Sequence, residues 1–136
     1  MFVAARSRRM RPSLFNSRTY YNLAHAKEQG TSEYNSDMKT IFEWDETKAR
    51  INFEKHKIRF GEAITIFTDP FLITFVDDFH SDKEERFISI GLSEKNRVLL
   101  AVHTEREEKP ETIVIRIVSC RKATQTERNR YEKENE

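Results

Sequence analysis

The chain has 136 residues and a formal net charge of +1 at pH 7. That length suits one domain with a single modest core, and no apolar run approaches the roughly 20 residues that a membrane-spanning helix needs. Without such a run we expect no membrane partner. The charge is unevenly spread, because Lys and Arg outnumber Asp and Glu between residues 86 and 133 while acidic residues dominate between 39 and 85. The C-terminal half is therefore the basic half, which suits a nucleic-acid partner.

Residues 1–38 differ from the rest of the chain. Five Arg precede the first acidic residue, Glu28, no apolar period is visible, and the segment ends in a polar run. This composition is typical of a disordered extension. A targeting segment and a basic arm that touches nucleic acid are the alternatives. We expect the folded domain to span residues 39–136.

The first half of that domain predicts one strand and two helices. Residues 41–44 form a short strand, Asp45 is a typical N-cap, and a helix runs from there toward Lys57. Because no Gly stands at that end, we expect a slightly strained bend. A second amphipathic helix, which Pro70 ends, is indicated by apolar residues at the spacing i, i+3, i+4 and i+7: Phe60, Ala63, Ile64 and Phe67.

The second half predicts four strands and a last helix. The strands are expected at residues 71–76, 86–92, 97–105 and 112–120. Their short polar connections favour antiparallel neighbours. Thr124 or Thr126 is expected to cap the last helix, and Thr124 to Glu127 has the spacing of a capping box. The order predicts an α+β fold, with two helices packed on one face of a twisted antiparallel sheet and the other face left to solvent or a ligand.

A histidine and a carboxylate stand together near the end of the third of these strands. Alternation places His103 and Glu105 on one face, where the carboxylate can tune the imidazole for proton transfer. A half-buried histidine that hydrogen-bonds its neighbour is the alternative. The lone Cys120, at the end of the next strand, excludes an intramolecular disulfide and suits a reducing cytoplasm.

Arginines stand where anions could be bound. Arg116 interrupts an apolar strand and Arg86 begins another, so each is either an anion ligand or a surface residue. Arg116 and Arg121 have opposite parity, so they share a groove only if the strand bulges or ends between them. We expect pairing to break near Cys120 and to turn Arg121 and Lys122 toward the edge that carries the histidine.

The segment from Asp77 to Asp82 raises the alternative of a metal nuclease. It holds three carboxylates and an imidazole: Asp77, Asp78, His80 and Asp82. The spacing matches no EF-hand or zinc pattern, and Asp and Ser are common turn residues. We therefore expect a hairpin loop, with no metal and no cofactor.

Several blocks between Phe42 and Glu132 match those of one family in the same order. They include Phe42-Glu43-Trp44-Asp45, Lys55-His56, Phe60-Gly61-Glu62-Ala63, Phe67-Thr68-Asp69-Pro70, Glu85-Arg86-Phe87-Ile88, Val102-His103-Thr104-Glu105-Arg106 and Ser119-Cys120-Arg121-Lys122-Ala123-Thr124. In these blocks the chain resembles the BrnT family of type II toxin–antitoxin ribonucleases. Lys57 and Cys120 depart from the family, which often has Gly and Ala there, and residues 1–37 have no counterpart.

The resemblance implies a RelE-like fold and a cytoplasmic toxin that cleaves RNA without a metal and so inhibits translation and growth. It implies a ribbon-helix-helix antitoxin, expected in a heterotetramer of two toxins and two antitoxins that binds operator DNA through the antitoxin. The alternative is a non-catalytic binding or co-repressor module that acts through its antitoxin complex.

The implied chemistry is attack of the RNA 2′-hydroxyl on the adjacent phosphate. That reaction needs a proton acceptor, a proton donor and fixed cations. The residues expected in the catalytic set are His103 or Glu105 for proton transfer, Arg121 and Lys122 as cations, and Tyr131 as a hydroxyl or a stacking surface. Arg86 and Arg116 are expected to bind RNA phosphates.

Overall fold

The computed structural model describes residues 39–79 and 84–135. The strands are β1 (Lys39–Glu43), β2 (Ile73–Val76), β3 (Phe87–Leu92), β4 (Val98–Lys109) and β5 (Thr112–Lys122), and the helices are α1 (Glu46–His56), α2 (Phe60–Ala63), a 3₁₀ helix (Ile64–Thr68) and α3 (Gln125–Glu134). This order confirms the predicted α+β class. The extension predicted for residues 1–38 lies outside the described residues.

The sheet is mixed, which corrects the prediction of an antiparallel sheet. Its strand order is β1-β5-β4-β3-β2. Strands β2 to β5 form the expected antiparallel meander, but β1 runs parallel to β5, with Ile41 opposite Val114. Connection lengths orient only strands that follow one another in the chain, and β1 is separated from β5 by nearly the whole domain. The partner of β1 is therefore decided by packing.

One face of the sheet, here called the inner face, carries the main core. Side chains from the end of α1 through the 3₁₀ helix meet side chains of β4 and β5 there, and the buried set is Ile58, Phe60, Ala63, Ile66, Phe67, Leu99, Ala101, Ile113, Ile115, Ile117 and Cys120. The predicted second helix is one α turn followed by the 3₁₀ helix. Thr65 donates to the Glu62 carbonyl at 2.6 Å and Thr68 to the Thr65 carbonyl at 2.9 Å, and such bonds compete with regular helix.

The opposite, outer face carries a second cluster that α3 partly covers. Its buried members are Ile73, Phe75, Ile88, Ile90, Val98 and Leu100. Tyr131 of α3 packs against them, and its hydroxyl donates to Asp69 Oδ2 at 2.6 Å. The same carboxylate accepts the backbone amides of Phe71 and Leu92 at 2.9 and 2.7 Å. Asp69 thus ties α3 to the sheet, and only the rest of this face is open.

A shift of register between β4 and β5 decides which side chains share a face. Val102 lies opposite Ser119, whereas His103 lies opposite Ile117. Val118 is therefore the extra residue of a β-bulge. Alternation counted through the sequence fails across such a residue, so side chains on its two sides change their relative parity.

The side chain of Asn52, in α1, bonds the backbone of β5 beyond the point where its pairing with β1 ends. The pairing of β1 ends at Arg116, and beyond it the Asn52 amide donates to the Cys120 carbonyl at 2.9 Å and accepts the Cys120 amide at 3.1 Å. It also donates to the Ile58 carbonyl at 3.2 Å. These groups are buried, where an unpaired backbone group is costly. The contacts hold the end of α1, with His56, against the end of β5.

The end of α1 has the expected strained bend. Lys57 has φ 62° and ψ 27°, and its amide donates to the Phe53 carbonyl at 2.8 Å. A residue with a Cβ atom in this conformation costs about 1 kcal/mol relative to Gly. We expect Lys57→Gly to raise the free energy of unfolding by about 0.5 to 1 kcal/mol in urea denaturation.

Asn96→Gly is the matched control for that variant. Asn96 has φ 60°, but Asn tolerates the left-handed region better than Lys does, so we expect a smaller gain. A Lys57→Gly protein no more stable than the parent would show that the bend stores no strain.

Candidate active site

An open groove of about 320 Å³ lies on the outer face. Its floor is apolar and comes from Ile88, Leu100 and Val102. Polar and charged side chains from separate parts of the chain surround that floor, and they include His56, Asp77, Arg86, Ser119, Arg121 and Glu127. The outer groove, as we call it, therefore combines an apolar base with cations and a histidine.

Arg121, at the end of β5, is held by the first turn of α3. Its Nη1 and Nη2 donate to Oε1 and Oε2 of Glu127 at 2.8 and 2.9 Å. Glu127 also completes a capping box, since its Oε1 accepts the Thr124 amide at 2.8 Å and its own amide donates to Thr124 Oγ1 at 3.2 Å. Burial raises the pKa of Glu127, but the hydrogen bonds from Arg121 and Thr124 outweigh it and leave that pKa below its ordinary value.

Arg86 comes from the other side of the outer groove. It immediately precedes β3, and its carbonyl accepts the Asp77 amide at 2.8 Å, which closes the pairing of β2 with β3. Its side chain is half-buried. Arg86 and Arg121, both predicted from the sequence as cations of the site, thus line one groove from opposite ends of the sheet's central strands.

His56, the last residue of α1, is a wall residue that sequence reasoning missed. Its pKa lies below the ordinary value, because burial penalises the charged imidazolium and because Lys55 and Arg121 add positive charge nearby. This shift favours the neutral imidazole, which can accept a proton. The signal that could have found it is a histidine inside a basic run at a helix end.

His103 and Glu105 share a face, as predicted, but it is the inner face. His103 is 0% exposed and lies between the rings of Phe67 and Phe87, at centroid distances of 5.0 and 5.8 Å. Its Nδ1 is 3.6 Å from Glu105 Oε2, and its Nε2 is 2.8 Å from Ser89 Oγ. Burial lowers the pKa of His103 to about 3. This imidazole is a neutral core group.

The expected turn of Arg121 toward that histidine is wrong, whereas Lys122 lies opposite Leu99, four positions along β4 from His103. Arg121 lies opposite Leu100 on β4, and Leu100 belongs to the floor of the outer groove. The bulge at Val118, two residues before the predicted break, puts Arg121 on the outer face, with the sheet between it and His103. The predicted catalytic roles of His103 and Glu105 stay predictions, and the geometry does not bring either side chain to the groove.

Three further predicted residues lie away from the outer groove. Arg116 is on the outer face, but its Nη1 lies 3.4 Å from Glu43 Oε2. Lys122 is exposed at the end of β5. Tyr131 donates to Asp69, and burial followed by that hydrogen bond raises the pKa of its hydroxyl. Their predicted roles in RNA binding and catalysis stay predictions.

Comparison with known proteins identifies the family. Residues 44–127 match the model of the ribonuclease toxin BrnT of type II toxin–antitoxin systems, which is more than half of the chain. The chain belongs to the BrnT family. Among solved structures it is similar to the 1.1 Å crystal structure of the Brucella abortus ribonuclease toxin BrnT, with 20% identity and a TM-score of 0.45, over 65% of this chain and 100% of that one. No curated protein matches the sequence significantly.

Membership of the BrnT family gives the activity class and one partner class. The chain is a ribonuclease toxin of a type II system, and its partner is an antitoxin. The matched range contains every charged residue that lines the outer groove, from His56 at one wall to Glu127 at the other. The groove therefore belongs to the BrnT part of the chain.

The described residues show no metal-binding cluster, a buried thiol and no membrane-spanning helix. Within 39–79 and 84–135, no group of three or more His, Cys, Asp and Glu is arranged to hold a metal ion, while His80 and Asp82 lie outside those ranges. Cys120 is buried, and burial raises the pKa of its thiol to about 12. In the same ranges no helix is long and apolar enough to cross a membrane.

Proposed function

We propose that this BrnT-family toxin cleaves RNA in the outer groove without a metal ion. One observation carries the proposal: Arg86, Arg121 and His56, whose lowered pKa favours the neutral imidazole, line a single groove. Phosphodiester cleavage needs fixed cations where charge develops and a group that moves a proton. These three side chains supply both requirements.

In the proposed reaction the RNA provides its own nucleophile. His56 accepts the proton of a 2′-hydroxyl, and the 2′-oxygen attacks the adjacent phosphorus. The bond from phosphorus to the 5′-oxygen then breaks, the leaving oxygen takes a proton from the imidazolium, and a 2′,3′-cyclic phosphate remains. Arg86 and Arg121 stabilise the charge of the five-coordinate phosphorus. His56 thus returns to its neutral form in one turnover.

The apolar parts of the outer groove suit unpaired nucleotides. The ring of Phe79, which also lines the groove, is 54% exposed and can stack on a base, as aromatic rings do in proteins that bind single-stranded RNA. Arg116 pairs with Thr104, which lies four positions along β4 from the floor residue Leu100. At the spacing of residues in a strand, Arg116 is therefore about 13 Å from Leu100 along the sheet. We propose Arg116 as a ligand for a neighbouring phosphate of the bound RNA.

His103 and Glu105 are assigned a structural role in this proposal. Ser89 Oγ lies 2.7 Å from Thr74 Oγ1 and 2.8 Å from His103 Nε2. The chain of polar groups therefore links β2, β3 and β4 on the inner face. Tyr131 acts through α3, which it anchors to Asp69.

The partner proposals rest on the family. A toxin of a type II system is neutralised by a protein antitoxin, and we propose a ribbon-helix-helix protein that forms a heterotetramer of two toxins and two antitoxins and binds operator DNA. Cleavage of RNA in the cytoplasm would inhibit translation and growth. We also propose that the fold is RelE-like, in line with its sheet, N-terminal helices and C-terminal helix.

The test is cleavage of a single-stranded RNA oligonucleotide by purified, antitoxin-free protein in excess EDTA. We expect the same rate with and without EDTA, products that end in a 2′,3′-cyclic phosphate, and no cleavage where the 2′-hydroxyl is replaced by hydrogen. Activity that EDTA abolishes and Mg²⁺ restores would overturn the metal-free mechanism. A folded protein that binds RNA without cutting it would favour the binding-module alternative.

A further inference from the structure

The donors of Arg121 are divided between two directions. A guanidinium has five N–H donors, and three are used here: Nη1 donates to Glu127 Oε1 and to the Lys122 carbonyl at 3.2 Å, and Nη2 donates to Glu127 Oε2. Among the described residues, no hydrogen bond is made by Nε. The edge formed by Nε and Nη2 therefore keeps two donors for another anion.

That edge is suited to two oxygens of one anion. Arg97 of the same chain uses its Nε and Nη2 to bind both carboxylate oxygens of Glu62. A phosphate offers a similar pair of oxygens, which is why Arg binds phosphates in a bidentate way. Arg121 can therefore bind Glu127 with one edge and a phosphate with the other at the same time.

Glu127 is itself fixed before any ligand arrives. Both of its oxygens are bound, one of them also to the Thr124 amide, and its side chain is only 16% exposed. It stands in the first turn of α3, which the Tyr131–Asp69 bond anchors to the sheet. A flexible Arg side chain that is fixed in this way loses its rotamer freedom at folding rather than at binding.

We infer that Glu127 is the positioning residue of the outer groove, which holds Arg121 so that its Nε edge meets the phosphate under attack. This inference rests on the proposed function of the groove. It gives Glu127 two tasks, because the same carboxylate caps the start of α3 and orients Arg121. The opposite role is a competing anion that shields Arg121 from RNA.

The two roles predict opposite effects of Glu127→Gln. The amide oxygen of Gln can still accept the Thr124 amide in a capping box, but the charged, bidentate contact with Arg121 is lost. If Glu127 positions Arg121, we expect kcat on a fluorogenic single-stranded RNA to fall about tenfold. The Kd for the uncleavable 2′-deoxy oligonucleotide stays the same or becomes smaller, since a negative charge has been removed.

Thr124→Ala is the matched control. It breaks the capping box but leaves both contacts between Arg121 and Glu127, so we expect a lower Tm and a kcat within twofold of the parent. If Glu127→Gln does not fold, Glu127→Asp replaces it: the charge remains, the side chain is one methylene shorter, and the same fall in kcat is expected.

Three results would overturn the inference. The first is a parental kcat in Glu127→Gln. The second is a higher kcat and tighter RNA binding in Glu127→Gln, which would make Glu127 a competitor of the RNA. The third is an equal loss of kcat in Thr124→Ala, which would mean that the effect comes from the stability of α3. Arg121→Ala, measured alongside, separates a failure of the positioning role of Glu127 from a failure of the proposed function of the groove. Parental cleavage by Arg121→Ala overturns the groove itself, whereas an inactive Arg121→Ala with a parental Glu127→Gln overturns only the positioning role.

Discussion

Arg121→Ala is expected to lower kcat/KM for RNA cleavage by about 30- to 1000-fold, which corresponds to a loss of about 2 to 4 kcal/mol of transition-state stabilisation. Arg121 lines the groove in which the phosphate would gain negative charge during cleavage. Its guanidinium is held by Glu127 rather than by the substrate. Its side chain is 37% exposed, so its removal leaves no core cavity. We therefore expect a folded protein, checked by circular dichroism and by binding to the antitoxin.

Arg116→Ala is the control for that experiment. It removes the same type of side chain from the same strand and face, but its guanidinium contacts Glu43 instead of the outer groove. We expect KM to rise a few-fold with kcat nearly unchanged, because an outer phosphate ligand contributes to binding in the ground state and the transition state alike. Nearly parental cleavage by Arg121→Ala would overturn the assignment of the groove and move the site along the face toward Arg116.

The faces of β4 show what the sequence can and cannot predict. Alternation correctly puts His103 and Glu105 on one side of the strand. It does not tell which side faces the helices, because both sides are apolar and buried: Val98 and Leu100 belong to the outer cluster, while Leu99 and Ala101 belong to the inner one. A strand that is buried on both faces has no polar side to orient it.

The bulge at Val118 explains the second error of placement. A single extra residue inverts the parity of everything beyond it, so two arginines of opposite parity in the sequence, Arg116 and Arg121, come to share the outer face. The sequence indicates that a break is needed for this. Its position depends on the pairing of two strands, which no local pattern of β5 reveals.

His56 was missed for a different reason. Helical periodicity explains its place in α1 without any function, and its approach to Arg121 depends on contacts that are distant in sequence. Asn52 binds the backbone of Cys120 and so places the end of α1 beside the end of β5. By contrast, the order of the elements and the capping box of α3 follow from local rules, and these were predicted correctly.

His103 is expected to make the fold acid-sensitive. Its ordinary pKa of 6.5 applies to the unfolded chain, and burial lowers the pKa to about 3 in the folded protein. Between these values the unfolded chain binds a proton that the folded protein does not, so the free energy of unfolding falls as the pH falls. The slope from this one group is about 1.4 kcal/mol per pH unit. The stability that the neutral, buried His103 contributes is fully present above pH 6.5 and is lost progressively as the pH falls toward 3.

His103→Gln separates this effect from the titration of the carboxylates. Gln does not titrate, and its amide can still bond to Ser89, so we expect a protein that is less stable at pH 7, by about 1 to 2 kcal/mol for the lost ring contacts with Phe67 and Phe87. Its stability in urea should then depend less on pH between 6 and 4, by about 1.4 kcal/mol per unit. His56→Gln is the control with a smaller change of slope, because His56 is half-exposed. An unchanged slope in His103→Gln would mean that the folded protein protonates this imidazole.

The same variant decides between the two roles of His103. Parental RNA cleavage at pH 7 fits a core histidine, whereas loss of cleavage in the folded variant would return His103 to the catalytic set.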